Sequence, residues 1–116
     1  MNKNSDNRPI IEIGEENFES EVLRWKQPVL VVFSAAWSRP CGVLDSVLEE
    51  VAAACDGRVK VTRINADNNP GLSLFWRIQS IPTLLYFVDG NLRATIVGTA
   101  SKEAILSKIS ASDAKR

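Results

Sequence analysis

The chain has 116 residues, of which 45 % are apolar and 24 % charged, with fourteen basic residues balancing fourteen acidic ones and no histidine. That length suits one domain, which buries roughly 65 % of the surface its unfolded form exposes. The even charge gives no electrostatic footing for nucleic acid or an anionic membrane, and without histidine there is no Ser-His or Cys-His nucleophile pair, no histidine base and no zinc site of the usual Cys/His kind.

Residues 1–9 are polar and read as a disordered leader, not a signal peptide. Residues 10–13 form a short strand closed by Gly14. Phe18, Val22 and Trp25 then fall at i, i+4 and i+7, one apolar stripe of a helix, with Trp25 expected in the core. Glu15, Glu16, Glu19 and Glu21 read as solvated acids around it. Residues 29–33 are continuously apolar and mostly β-branched, which suits a strand covered on both faces in the middle of a parallel sheet. This longest apolar run is far too short to span a bilayer, so the protein is expected in the cytoplasm, with both thiols reduced.

Pro40 is tolerated in the first turn of a following helix, where its missing N–H has no partner to lose. Cys41, Leu44, Val47, Leu48, Val51, Ala54 and Cys55 share one face of that helix, and Asp56-Gly57 stops it. A strand over residues 59–64 leads to Asn69-Pro70, an N-cap and N1 pair for a helix over residues 70–77, with Trp76 on its core side. Residues 83–88 form another buried strand, and Asp89-Gly90 signals a tight hairpin. In the partner strand Leu92, Ala94 and Ile96 alternate with Arg93 and Thr95. Ser101 caps a last helix that carries Ile105 and Ile109, and residues 111–116 read as a polar tail. The order β-α-β-α-β-α-β-β-α predicts an α/β fold with a mostly parallel sheet, an antiparallel C-terminal hairpin and helices on both faces.

The segment Ala36-Trp37-Ser38-Arg39-Pro40-Cys41-Gly42 joins a buried strand to a helix. Taken with Ser80-Ile81-Pro82-Thr83, the stretch Asn65-Ala66-Asp67-Asn68-Asn69-Pro70 and the ending Val97-Gly98-Thr99, it makes residues 10–110 resemble the thioredoxin family. The resemblance implies the thioredoxin fold, a cis peptide before Pro82, no cofactor, and a shallow groove for client proteins in extended form. Trp37, Arg39, Pro40, Ile81, Pro82, Gly98 and Thr99 match the groove. Thioredoxin reductase and glutathione are implied partners, and a monomer is expected. The family attacks a disulfide with the first thiolate of a W-C-x-P-C centre and resolves the mixed disulfide with the second thiol.

This sequence departs from that pattern twice. Ser38 occupies the position of the attacking cysteine, and Val32 the position of a buried aspartate thought to accept a proton during resolution. A serine hydroxyl stays protonated near neutral pH, and no histidine is available to activate it. Two changes that both remove parts of dithiol turnover favour a natural variant over one laboratory replacement. Cys55 cannot stand in for the missing partner. Fourteen residues on one helix put it about 21 Å from Cys41, whereas a disulfide needs Cα atoms within about 7 Å. Cys55 therefore reads as a core thiol. Cys41 reads either as a lone reactive thiol helped by the helix N-terminus and Arg39, sheltered behind Ser38 at an exposed mouth, or as a retained packing residue. Arg63, without an acid at position 32, is expected to pair with Asp67 or reach solvent. Two functions follow: a thioredoxin-type redox protein resting on Cys41 with weak or absent dithiol turnover, or a non-catalytic module that binds clients in the groove.

Overall fold

The computed structural model describes residues 10–114; the expected leader, residues 1–9, and the last two residues of the expected tail lie outside the described residues. Five strands form one mixed sheet: β1 (Ile11–Ile13), β2 (Val29–Ser34), β3 (Lys60–Asn65), β4 (Thr83–Val88) and β5 (Asn91–Val97), in the order β1-β3-β2-β4-β5. The apolar run expected in the middle is β2, and every side chain in it is buried. It pairs parallel with β3 and antiparallel with β4.

Antiparallel pairing therefore extends beyond the hairpin, and the sheet is evenly mixed instead of mostly parallel. Helix α2 (Pro70–Phe75) has six residues, about 9 Å of helix. A six-residue strand spans about 20 Å. The connection from β3 does not return along the sheet, so β4 starts at the end where β2 and β3 stop. Periodicity reports burial of a strand but not its direction.

One face of the sheet presents Leu30, Val32, Val61, Leu84 and Tyr86 to α1 (Arg39–Cys55) and α3 (Lys102–Ala114), which contribute Leu44, Leu48, Val51, Ile105 and Ile109. The other presents Val29, Val31, Phe33, Leu85 and Phe87 to Phe18, Val22, Leu72 and Trp76. Trp76 meets Phe87 edge-on with ring centroids 5.1 Å apart. Helix α1 ends as the sequence implies, at Asp56 (φ 51°) and Gly57 (φ 82°), a left-handed pair that prevents continuation. Ala54 turns outward, while Ala52 packs against the core. Asp89 (φ 53°) and Gly90 (φ 77°) make the tight turn between β4 and β5, and a bulge between Tyr86 and Phe87 leaves Leu92 exposed. The Ser101 hydroxyl accepts from the Ala104 N–H at 3.0 Å. Helix α3 continues to Ala114, well into the expected tail, because Ser112 is buried, with its hydroxyl donating to the Lys108 carbonyl.

The first helix is a short π-helical turn, Glu19–Leu23, and it changes two expectations. Wider winding keeps Phe18 and Val22 inside but leaves Trp25 beyond its end, 37 % exposed. Lys60 Nζ sits 3.3 Å from the centroid of the Trp25 ring and pairs with the Glu21 carboxylate, so Glu21 is not simply solvated. Glu15 is not free either. Its Oε2 accepts from the N–H groups of Gly71 (2.7 Å) and Leu72 (3.3 Å), capping α2 from across the sheet end. Asn69, the expected cap, instead accepts from the Glu15 N–H at 2.9 Å and donates to the Asn65 carbonyl at 2.8 Å. Glu15→Ala removes that cap, and urea denaturation is expected to show a loss of about 1 kcal/mol.

Cys55 lies in the core under α1. Burial pushes its thiol pKa up, opposed by Arg58 and assisted by Asp113. A folded-state value above the unfolded one means that the folded protein holds this proton more tightly. The contribution is complete below the unfolded value and is lost as pH rises through the folded one. Denaturation midpoints are therefore expected to fall above about pH 9, and Cys55→Ala is expected to flatten that part of the profile.

Candidate functional site

The chain leaves buried β2 at Ser34, passes Ala35, which is still buried, and turns outward at Ala36 and Trp37. Trp37 is 71 % exposed, yet its ring is held: Nε1 donates to the Asp67 carboxylate at 2.7 Å. Asp67 is fixed by the Asn65 side chain, whose Oδ1 accepts from the N–H groups of Asp67 (2.9 Å) and Asn68 (3.1 Å). An aromatic plate is thus presented to solvent without being loose.

Ser38 starts α1. Its backbone is extended (φ −88°, ψ 116°), and its hydroxyl accepts from the Cys41 N–H at 3.4 Å. Its carbonyl accepts from the Cys41 N–H at 3.1 Å and from Gly42 at 3.3 Å. This is the work of an N-cap, and it turns the side chain inward: Ser38 is 6 % exposed. The expectation of Ser38 at an exposed mouth is overturned for that reason. Cys41 is 5 % exposed and begins the inward stripe that continues at Leu44 and Leu48. Arg39 and Pro40 lie on the exposed side of the same turn.

Antiparallel pairing of Thr83 with Phe33 puts the start of β4 at the end of β2, beside this loop. The Ile81–Pro82 peptide is cis. Pro82 is buried, Ile81 half-buried, and the Thr83 hydroxyl donates to the Ser80 carbonyl at 2.6 Å. The Pro82 carbonyl accepts from the N–H of Gly98, a left-handed residue (φ 91°), at 2.8 Å. Among the described residues, the Ile81 N–H and C=O have no hydrogen-bond partner. Trp37, Ser38, Cys41, Ile81, Pro82 and Gly98 therefore share one end of the sheet, with Arg39, Pro40 and Thr99 exposed around it.

Val32 is 1 % exposed and packs with Leu30, Leu44 and Leu48, so its position holds no proton acceptor. Arg63 does not pair with Asp67, which Trp37 occupies. It sits opposite Glu12 in the β1–β3 register and bridges Glu12 Oε2 (2.7 Å) to Asp45 Oδ1 (2.9 Å) on α1. Burial works against its charge, but the hydrogen bonds and charges of Glu12 and Asp45 outweigh that and raise its pKa. Glu12 and Asp45 had no signal in the sequence, and Asp67 was matched to the wrong partner, since each meets its true partner from 18 to 51 residues away. Among the described residues no cluster of three or more histidine, cysteine or acidic side chains is arranged to hold a metal, and no helix is long and apolar enough to cross a membrane.

The site can offer one thiol, not two. Cys41 and Cys55 are both free, at opposite ends of α1. After diamide treatment of the folded protein, intact-mass measurement is expected to show no loss of two hydrogens from an internal disulfide.

Comparison with known proteins gives a consistent picture. The family model described as Thioredoxin matches residues 9–111. The chain is 42 % identical over 93 residues to a thioredoxin of Acidithiobacillus ferridurans, covering 80 % of this chain and 86 % of that one. It is 40 % identical over 96 residues to a thioredoxin of Pseudomonas aeruginosa (83 % and 89 % covered), and 35 % identical over 100 residues to one of Griffithsia pacifica (86 % and 92 % covered).

Proposed function

Given that the chain belongs to the thioredoxin family, we propose that it is a member in which dithiol turnover is absent or weak and any redox role rests on Cys41 alone. The observation that carries this reading is Ser38, a buried N-cap at the position of the attacking sulfur. In dithiol chemistry a thiolate there attacks a disulfide, one half leaves as a thiolate, and the second thiol then displaces the half held in the mixed disulfide as the internal disulfide forms. The Ser38 oxygen keeps its proton and lacks a base to remove it. Cys41 can still exchange with a disulfide once, but release then needs an outside thiol, from a partner protein or from a small thiol of the glutathione kind. A reducing cytoplasm, in which both thiols stay free, fits this chemistry.

A second reading rests on a different observation. The exposed Trp37 plate and the unpartnered backbone of Ile81 lie at the same sheet end. An extended peptide adding to that backbone would gain main-chain hydrogen bonds and an aromatic contact without any thiol chemistry. Trp37, Arg39, Pro40, Ile81, Pro82, Gly98 and Thr99 would form this surface, and the protein would act as a client- or partner-binding module.

Insulin reduction driven by NADPH and thioredoxin reductase tests the first reading. The protein as it stands is expected to give no turnover above background, and robust turnover would sink the proposal. Ser38→Cys is expected to form a disulfide between the introduced sulfur and Cys41 and to recover partial activity, limited by the absence of an acid at Val32.

A further inference from the structure

Cys41 also lies in the wall of a second opening. A cavity of about 250 Å³ runs between the first turns of α1 and the β1–β3 edge, lined by Cys41, Ser34, Asn65, Asp45, Arg63 and Glu12 among others. Trp37, Ile81 and Pro82 are not part of its wall. Ser34 follows Leu30 and Val32 on the α1 side of β2 and is 8 % exposed, and among the described residues its hydroxyl has no hydrogen-bond partner. Ser34 is largely buried, and its hydroxyl, with no protein partner among the described residues, opens onto this volume, where a polar molecule can sit. The charges around the cavity are those of Glu12, Asp45 and Arg63, two carboxylates and one guanidinium, for a net charge of −1.

We propose that this cavity is the binding and entry site for a small neutral or cationic disulfide of the aminothiol type, which forms a mixed disulfide with Cys41. The proposal rests on the lone-thiol reading above and deepens it. The Cys41 proton passes to solvent, and its sulfur attacks one sulfur of the ligand. A new S–S bond forms as the ligand's S–S bond breaks, and the other half leaves as a thiolate. The Ser34 hydroxyl offers a hydrogen bond to the bound half. The carboxylates of Asp45 and Glu12 favour an ammonium group and repel a carboxylate, so an anionic tripeptide such as glutathione is disfavoured by this route.

The test compares 2-(trimethylammonio)ethyl and 2-sulfonatoethyl methanethiosulfonate on the folded protein. Rates are read at the Cys41 peptide by mass spectrometry and normalised to the same pair acting on the urea-unfolded chain. The normalised cation-to-anion ratio is expected to be on the order of tenfold at low salt and to shrink at high salt. Asp45→Asn is expected to bring the ratio close to one, and Ser34→Val, which removes the hydroxyl and narrows the cavity beside Cys41, to slow both reagents. A ratio near one in the unsubstituted protein, or Ser34→Val without effect, overturns the cavity proposal and leaves the lone-thiol reading standing. Failure of both reagents to label Cys41 in the folded protein overturns both.

Discussion

Everything else in this structure is arranged around two adjacent strands whose side chains are all buried. Val29–Ser34 and Thr83–Val88 lie side by side with no residue facing water. Such strands need a layer on each face, because apolar surface left open on either side forfeits about 25 cal/mol per Å². Helices α1 and α3 supply one layer. The π-helical turn and α2, with Trp76 and Phe18, supply the other. With both faces closed, reactive groups collect where the buried strands end. The short reach of α2 brings the start of β4 to the end of β2, so the loop of Trp37 and Ser38 meets the Ile81–Pro82 turn there.

The same closure governs charge. A carboxylate at position 32 would sit among Leu30, Leu44 and Leu48, where ionisation without a partner is costly. Val32 carries no such cost and offers no proton acceptor. Arg63 then has no inward partner and is held at the layer's edge by Glu12 on the neighbouring strand and Asp45 on α1. The ion pairs are partly exposed and contribute little to stability. Their effect is positional: they tie β1, β3 and α1 together around the cavity beside Cys41.

Much of this was legible in the sequence. The apolar run of β2, the stripe of α1, the Asp56-Gly57 stop, the Asp89-Gly90 turn and the Ser101 cap are local signals, and each is read within a few residues. The elements that escaped depend on partners distant in the chain. Glu15 looks like any surface acid until α2 is placed beside it. Trp25 fits an α-helical stripe, but the helix winds as π and ejects it onto Lys60. The direction of β4 follows from where α2 leaves the chain, which periodicity does not encode. The motif put Ser38 and Cys41 at the start of a helix, where they stand, but the burial of Ser38 follows from its capping bond and not from its position in a pattern.

That capping bond separates scaffold from reaction at a single position. Helix α1 needs an oxygen acceptor for the N–H groups of its first turn, and serine is among the best residues for this task. A sulfur at position 38 would use the same donors to stabilise a thiolate. Ser38 therefore starts the helix well, and its oxygen serves as the acceptor that a thiolate would otherwise be. Cys41 is different, because it fills the first position of the core stripe whether or not it reacts. Packing alone would keep a small apolar side chain there, and alanine would serve with a modest cavity penalty. The Cys41 sulfur also has a second surface, the polar cavity lined by Ser34 and by the Asp45–Arg63–Glu12 bridge, and its proposed chemistry rests on that surface and not on packing.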